Sequence, residues 1–188
     1  MKINKRLILA SKSPRRYDLL SPHFSVTKVV TCDVEEKFTQ IEPNKIVEEL
    51  AKAKLADLPQ KFPNDIVISG DTIVWYNGML YGKPKDKADA YAMLTELSGN
   101  YHYVYSGFAV AYKGKIVSGY DKCDILFKKL SDKVIKDYIA TGSPMDKAGS
   151  YGIQDGVVVD SFVGDINTII GLPLDKILNV CKELLANG

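Results

Sequence analysis

The chain has 188 residues, of which 46% are hydrophobic and 26% charged, and its formal net charge at pH 7 is +2. This composition is typical of a folded globular protein and excludes a low-complexity or highly charged disordered chain. The small net charge argues against a dedicated nucleic-acid binder, so we expect any anionic partner to be a small molecule. A chain of this length buries a sizeable core, and we predict a single domain over residues 1–188.

The cysteines and the apolar runs bear on location. Cys32, Cys123 and Cys181 are odd in number and lack metal-ligand spacing, which favours a reducing compartment over a disulfide framework. The first apolar run is too short for the centre of a signal peptide, and no segment approaches the roughly 18 apolar residues of a membrane-spanning helix. We therefore expect a cytoplasmic protein that makes no membrane contact.

The first third of the chain predicts alternating strands and helices. A buried strand at residues 6–10 leads into a helix that Ser13 caps and Pro14 begins. A second strand is predicted at residues 25–30, and a helix begins at Pro43. Its apolar positions recur at helical spacing: Val47, Leu50, Ala51 and Leu58.

A hairpin follows. Residues 65–76 form a long β-prone run, interrupted by Gly70 and Asp71, and an Asn-Gly pair then favours a tight turn into a short strand at residues 79–81. Further elements are predicted from capping, turn and periodicity signals: a helix at 86–97, strands at 101–112 and 115–127, a helix at 131–140, strands flanking Gly164-Asp165, and a final helix from Pro173. Strands mixed with helices and at least two hairpins predict an α/β protein with a mixed sheet.

Residues 11–16, Ser-Lys-Ser-Pro-Arg-Arg, lie where the first strand ends and the first helix begins. Backbone amides and the helix dipole favour an anion at this position, and the hydroxyls and guanidinium groups can add charge-assisted hydrogen bonds. This pattern predicts a phosphate site. The alternative, in which Ser13 only caps the helix and both arginines are solvated, fits the segment equally well.

Two charged residues occupy apolar patterns. Asp71 lies between two apolar runs of a predicted strand, where a carboxylate needs a metal, a cation or a catalytic role, unless a bulge at Gly70 turns it to solvent. Lys54 projects from the apolar stripe of its helix, so its ammonium either finds an inward partner or extends back to water.

Three other side chains are weaker candidates from the pattern alone. Lys83 follows the hairpin that returns from Asp71 and either approaches that carboxylate or lies on a surface turn. Glu35 and Glu36 offer oxygen ligands that suit Mg²⁺ or Mn²⁺, or belong to a solvated loop. His23 and His102 are too isolated to form a ligand set, and the chain has neither a P-loop nor a dinucleotide-binding glycine motif.

Six ordered motifs give the chain a resemblance to the Maf family. They are Leu-Ile-Leu-Ala-Ser-Lys-Ser-Pro-Arg-Arg at residues 7–16, Gly-Asp-Thr at 70–72, Gly-Lys-Pro at 82–84, Leu-Ser-Gly followed by His102, Asp-Lys-Ala-Gly-Ser-Tyr-Gly-Ile-Gln at 146–154, and Gly-Leu-Pro-Leu at 171–174. The resemblance implies a nucleoside triphosphate pyrophosphatase that cleaves between the α- and β-phosphates with a divalent metal. It also implies an elongated, two-lobed α/β domain with a strongly twisted mixed sheet and a central cleft, which can be a homodimer.

The resemblance also implies roles for individual residues. Catalytic roles fall to Asp71, Lys54, Lys83 and Glu36, with Glu36 and Asp71 near the metal, and substrate binding falls to a second set: Ser11, Arg15, Arg16, Thr72 and Gln154. The last three match the positions that mark the branch cleaving dTTP and UTP.

Alternatives of different classes stay open beside this interpretation. A pyrophosphatase of the 7-methyl-GTP branch is one, and a non-enzymatic nucleotide- or nucleic-acid-binding regulator of septum formation is another, although the intact catalytic positions disfavour the latter. The chain departs mildly from the family pattern, with Gly70 in place of the usual alanine and Ser106 in place of a common threonine.

Overall fold

The fold was taken from a computed structural model, which describes residues 2–188. Strands β1 to β7 span Ile3–Leu9, Phe24–Val29, Ile66–Tyr76, Met79–Tyr81, Tyr101–Tyr112, Lys115–Phe127 and Val159–Val163. Helices α1 to α7 span Pro14–Leu20, Pro43–Leu55, Leu58–Lys61, Lys87–Leu97, Asp132–Ala140, Ile166–Ile170 and Leu174–Ala186.

The strands of residues 2–188 form one seven-stranded sheet in the order β2-β1-β3-β5-β6-β7, with β4 paired to β3. Strand β1 runs parallel to both β2 and β3, whereas β4 is antiparallel to β3 and β7 is antiparallel to β6. Parallel and antiparallel pairs therefore share one sheet, which confirms the predicted α/β class with a mixed sheet. Within the same residues, no helix is long and apolar enough to cross a bilayer.

Contacts divide the described chain into two compact units. Unit 1 comprises residues 1–71, 106–121 and 171–188, and unit 2 comprises residues 72–105 and 122–170. The boundaries fall within β3, β5 and β6, so these strands contribute residues to both units.

In unit 1 the sheet is covered on both faces because successive strand residues point to opposite sides. On one face, Leu7 and Ile68 pack with Leu20 of α1 and with Ile177 and Cys181 of α7. The opposite face has its own cluster, in which strand residues pack against α2 and α3: Ile8, Val67, Ala109, Ala51, Leu55 and Leu58. Both faces of β1 and β3 are therefore apolar, as the runs Leu-Ile-Leu and Ile-Val-Ile indicate.

Helix α2 lies unusually close to the sheet of unit 1. A Cβ at Gly107 of β5 would lie 2.4 Å from the carbonyl oxygen of Val47 in α2. The hydroxyl of Ser69 in β3 donates a hydrogen bond to the carbonyl of Ala51, one turn further along the helix. Helix α2 is thus fixed to two strands, which determines where its last turn ends.

Unit 2 has a separate core beneath α4 and α5. Ala90 and Leu94 of α4 and Ile135 and Ile139 of α5 join strand residues in one buried cluster that includes Phe127. The predicted cap of α4 is confirmed, because Asp86 accepts a hydrogen bond from the amide of Asp89. Ser131, predicted only as the first residue of a helical segment, caps α5 by accepting a hydrogen bond from the amide of Val134. These caps begin each helix at the predicted residue.

Two predicted elements were wrong. Leu58 does not continue α2, because Ala56 takes a positive φ of 48° and Pro59, which lacks an amide hydrogen, cannot extend that helix. The segment after Gly164-Asp165 is helix α6, not a strand, because the Asp165 carboxylate accepts a hydrogen bond from the amide of Asn167 and turns the chain.

Candidate active site

Lys54 is the centre of a charge triad formed with Glu36 and Asp71. Its Nζ atom lies 2.5 Å from Asp71 Oδ1 and 3.1 Å from Glu36 Oε1. The side chains of Asp71 and Lys54 are only 9% and 22% exposed, whereas that of Glu36 is 67% exposed. The ammonium of Lys54 therefore points inward, and the alternative in which it extends back to water is excluded.

Strand β3 presents Asp71 to Lys54 without a break. The strand is continuous from Ile66 to Tyr76 and Asp71 is buried, so the alternative in which a bulge at Gly70 turns the carboxylate to solvent is excluded. Pairing with β1 and apolar packing on both faces hold residues 66–68, directly before this segment, in extended form. Burial of a carboxylate is costly without a partner, and Lys54 supplies that partner.

Glu36 belongs to the loop between β2 and α2, which has no regular structure of its own. Helix α2 fixes this loop at two places. Lys54 binds Glu36, and the Glu49 carboxylate accepts hydrogen bonds from the amides of Thr39 and Gln40. These hydrogen bonds lower the pKa of Glu49, and the bond from the Thr39 amide has the largest effect. Glu35 pairs with Lys37 in solvent and takes no part in the triad.

The helix start at residues 11–16 shows features of both interpretations. Ser13 caps α1 by accepting a hydrogen bond from the amide of Arg16 at 3.4 Å. Yet the guanidinium of Arg16 is not solvated, because its Nε donates to the carbonyl of Gly171 at 3.0 Å and its Nη1 donates to Ser11 Oγ at 3.2 Å. The segment is therefore both a capped helix and an inward cationic site.

The Arg16 guanidinium lies beside the charge triad. Its Nε lies 3.2 Å from the point where a Cβ on Gly70 would be, directly before Asp71 in the strand. Burial lowers the pKa of Arg16; the carboxylate of Asp71 opposes that shift, and the neighbouring Arg15 adds to it. Unit 1 therefore brings together six predicted residues: Ser11, Arg15, Arg16, Glu36, Lys54 and Asp71.

The other three predicted residues belong to unit 2. Thr72 follows Asp71 in β3 and is half-buried. Lys83 is exposed after β4. Gln154 is exposed in a 3₁₀ turn, Ile153–Asp155. Their predicted roles stay predictions.

Three residues that contact the elements carrying predicted site residues were not predicted from the sequence; two belong to unit 1 and one to unit 2. Ser69 anchors α2, the Gly171 carbonyl orients Arg16, and Tyr138 contacts the backbone of the turn that carries Gln154. A serine within an apolar strand was a signal for Ser69, and the Gly-Leu-Pro-Leu motif was one for Gly171. Nothing local marks Tyr138, whose position in α5 is also that of a core residue.

A divalent cation fits the triad only with help from a ligand. Residues 2–188 contain no group of three or more His, Cys, Asp or Glu side chains that could enclose a metal. Two carboxylates, those of Glu36 and Asp71, converge on one positive charge. Mg²⁺ is commonly held by one or two carboxylates together with substrate phosphates and water, so this oxygen set fits such an ion.

Comparison with known proteins gives a consistent result. The chain is 40% identical over 176 residues to a dTTP/UTP pyrophosphatase of Thermosipho melanesiensis, covering 93% of this chain and 95% of the relative. It is 42% identical to one of Clostridium tetani, covering 96% and 98%, and 44% identical to one of Alkaliphilus metalliredigens, covering 95% and 96%. The family model described as Maf-like protein matches residues 6–184. Since that match includes every residue of the charge triad and of the cationic helix start, the chain belongs to the Maf family.

Proposed function

We propose that this protein hydrolyses dTTP and UTP to the nucleoside monophosphate and pyrophosphate, cleaving the bond between the α- and β-phosphates. The observation that carries the proposal is the triad, in which one inward ammonium joins a buried carboxylate to an exposed one beside the Arg16 guanidinium. Full-length relatives that are 40–44% identical and named dTTP/UTP pyrophosphatase support the choice of substrate.

In this proposal the helix start binds the triphosphate. Ser11 and Arg15 donate to phosphate oxygens, and Arg16, already held by Gly171 and Ser11, presents a fixed positive charge. Preorganised donors of this kind stabilise developing charge without reorganising during the reaction. Lys83 adds a second ammonium directed at the phosphates.

Asp71 acts as the general base in this proposal. A carboxylate has lone pairs on both oxygens, so Asp71 can accept the Lys54 hydrogen bond on Oδ1 and take the proton of the attacking water on Oδ2. Lys54 keeps the carboxylate in place and lies where it can offset charge on the phosphates.

Glu36 and Asp71 would hold the divalent cation, Mg²⁺ or Mn²⁺. Such a cation, when bound, neutralises phosphate charge and polarises phosphoryl oxygens. The exposed position of Glu36 suits a ligand that approaches together with the nucleotide.

Base recognition falls to Arg16, Thr72 and Gln154 in this proposal. The amide of Gln154 offers both a donor and an acceptor, the combination that the edge of a uracil or thymine ring requires. Its exposed turn leaves that amide accessible to a nucleotide.

A substrate panel tests the proposal. UTP, dTTP, CTP, GTP and 7-methyl-GTP are incubated with the purified protein and Mg²⁺ or Mn²⁺, and pyrophosphate and orthophosphate are measured separately. We expect pyrophosphate from UTP and dTTP, loss of turnover with EDTA, and a fall in kcat of roughly a hundredfold or more in Asp71→Asn. Release of orthophosphate alone would contradict cleavage at the α-β bond.

The panel also separates the alternatives. A preference for 7-methyl-GTP would place the chain in the other branch, and salt-sensitive DNA binding without turnover would favour a regulator. A cytoplasmic role in removing unwanted nucleotides belongs to the same proposal, as does a homodimer, which light scattering would detect.

A further inference from the structure

Gln154 lies on a short turn whose own hydrogen bonds are few. The amide of Asp155 donates to the carbonyl of Gly152, and the amide of Gly156 donates to that of Ile153, each at 3.2 Å. Both bonds are local and do not attach the turn to the rest of unit 2. Exposed turns with so few bonds open easily, so another contact must fix the direction of Gln154.

Besides the apolar packing of Ile153 against the core of unit 2, the turn is held by the hydroxyl of Tyr138. The amide of Gly152 donates a hydrogen bond to Tyr138 Oη at 3.0 Å, and the same hydroxyl donates to Asp155 Oδ2 at 2.6 Å. Gly152 and Asp155 lie on either side of Gln154 in the chain. One hydroxyl group therefore binds the turn at both ends.

Tyr138 is itself held firmly. It projects from α5, its side chain is only 3% exposed, and it packs in the core of unit 2. Burial, together with the Asp155 carboxylate, raises the pKa of Tyr138, so the hydroxyl keeps the proton that it donates. Tyr138 thereby attaches the turn to α5, a rigid helix.

A second chain of contacts reaches the same carboxylate. Ser143 Oγ donates to Asp155 Oδ2 at 2.6 Å, and the Lys147 ammonium donates to the carbonyl of Ser143 at 2.6 Å. A Cβ at Gly152 would lie 2.8 Å from Cε of Lys147, so the glycine permits this close approach. The network connects one charged, one hydroxyl and one phenolic side chain to the Gln154 turn, and of these the phenol accepts the hydrogen bond of the Gly152 amide.

We propose that Tyr138 is a positioning residue for base selection, because its hydroxyl fixes the Gln154 turn in the orientation that reads the pyrimidine edge. The inference rests on the proposed function, since it requires Gln154 to contact the base. Tyr138 itself touches neither phosphate nor base, so it affects the reaction only through Gln154.

Kinetics of four variants test this role: Tyr138→Phe, Gln154→Ala, the double variant, and Tyr91→Phe as a matched control. Tyr91 also bridges two helices of unit 2 through its hydroxyl, which donates to Asp132, a residue outside the turn. The parameters kcat and KM are measured for UTP and for CTP, which differ at the pyrimidine edge.

We expect Tyr138→Phe to raise KM for UTP roughly tenfold, because a hydrogen bond to a charged group is lost, while kcat stays within about twofold. Its preference for UTP over CTP should fall, and Tyr91→Phe should retain that preference. In the Gln154→Ala background the Tyr138→Phe change should add nothing, as expected for residues that act as one unit. Hydrogen exchange at the amides of residues 152–156 should accelerate in both variants that contain Tyr138→Phe and stay unchanged in Tyr91→Phe.

The outcomes distinguish the two proposals. If the wild-type protein releases no pyrophosphate from any triphosphate, the proposed function fails and the inference with it. If the wild-type protein is active, an unchanged UTP preference in Tyr138→Phe, or the same loss in the Gln154→Ala background, overturns the role of Tyr138 alone. A general loss of stability would lower kcat for UTP and CTP equally and would also overturn it.

Discussion

Replacing Lys54 by methionine removes the charge that compensates Asp71 while keeping a side chain of similar length. The Asp71 side chain is 9% exposed and that of Lys54 is 22% exposed, so the pair is largely but not fully desolvated. Breaking a fully buried ion pair costs about 3–5 kcal/mol because the remaining charge is uncompensated. Discounted for the partial access of water, Lys54→Met should lower the free energy of unfolding by about 2–3 kcal/mol.

A matched exposed pair provides the control. Lys61 lies 2.7 Å from Asp57, and both side chains are more than half exposed, at 59% and 56%. Lys61→Met should therefore lower the free energy of unfolding far less than Lys54→Met does. Adding Asp71→Asn to Lys54→Met removes the uncompensated charge and should restore stability to within about 1 kcal/mol of wild type.

Urea denaturation measures all four free energies of unfolding. The single tryptophan, Trp75, reports by fluorescence, and circular dichroism follows the helices in parallel. If Lys54→Met is as stable as Lys61→Met, or if Asp71→Asn fails to restore the loss, then Lys54 does not compensate a buried carboxylate and the triad is wrongly assigned.

Other substitutions test burial and packing. Burial lowers the pKa of His102 to about 3. In the unfolded chain the pKa of histidine is about 6.5. Between that pH and the folded-state pKa, only the unfolded state binds the proton, so the free energy of unfolding falls as pH falls. The free energy of unfolding should fall by about 2 kcal/mol between neutral pH and pH 5. Urea midpoints should show this fall in the control His23→Asn, which keeps His102, but not in His102→Asn. An equal fall in both variants would contradict the burial argument. Gly70→Ala would bring a Cβ within 2.5 Å of Leu172 Cδ2. Gly70→Ala should lower the free energy of unfolding by about 1 kcal/mol through overpacking, and adding Leu172→Val should reverse that loss. A single variant more stable than wild type would show that Leu172 moves freely.

Local signals were sufficient for most of the fold. Strands β5 and β6 begin and end at the predicted residues because a Lys-Gly turn separates two uninterrupted β-prone runs. Helix α4 was predicted from its cap, Asp86, which acts within a single turn, and α5 was predicted from its helical pattern and from Gly142, which follows it. Helical spacing placed Lys54 on the apolar stripe of α2, but it left open whether the ammonium points inward or extends back to water, and it did not identify the partner.

Longer-range features escaped prediction because they depend on residues far apart in the chain. The Glu36 loop has no periodicity, and its position depends on Lys54 and Glu49 of the following helix. Leu58 matched the spacing of α2, yet the backbone at Ala56 ended that helix first. The Tyr138 hydroxyl reaches Gly152, which is 14 residues away, and no local pattern specifies that contact. The resemblance to the Maf family supplied predicted roles for Glu36 and Gln154 that periodicity could not supply, and it supplied none for Tyr138.

The close contact at Gly107 determines which residues the protein tolerates at that position. The glycine has no functional group, yet the carbonyl of Val47 leaves no space for a methyl group at position 107. Any larger residue would lift α2 from the sheet, and with it Lys54, two turns along the same helix. A saturation screen that scores catalysis should therefore class position 107 with Lys54 and Asp71 as intolerant. The close spacing between the backbones of α2 and β5, and not a chemical role of Gly107, would account for this intolerance.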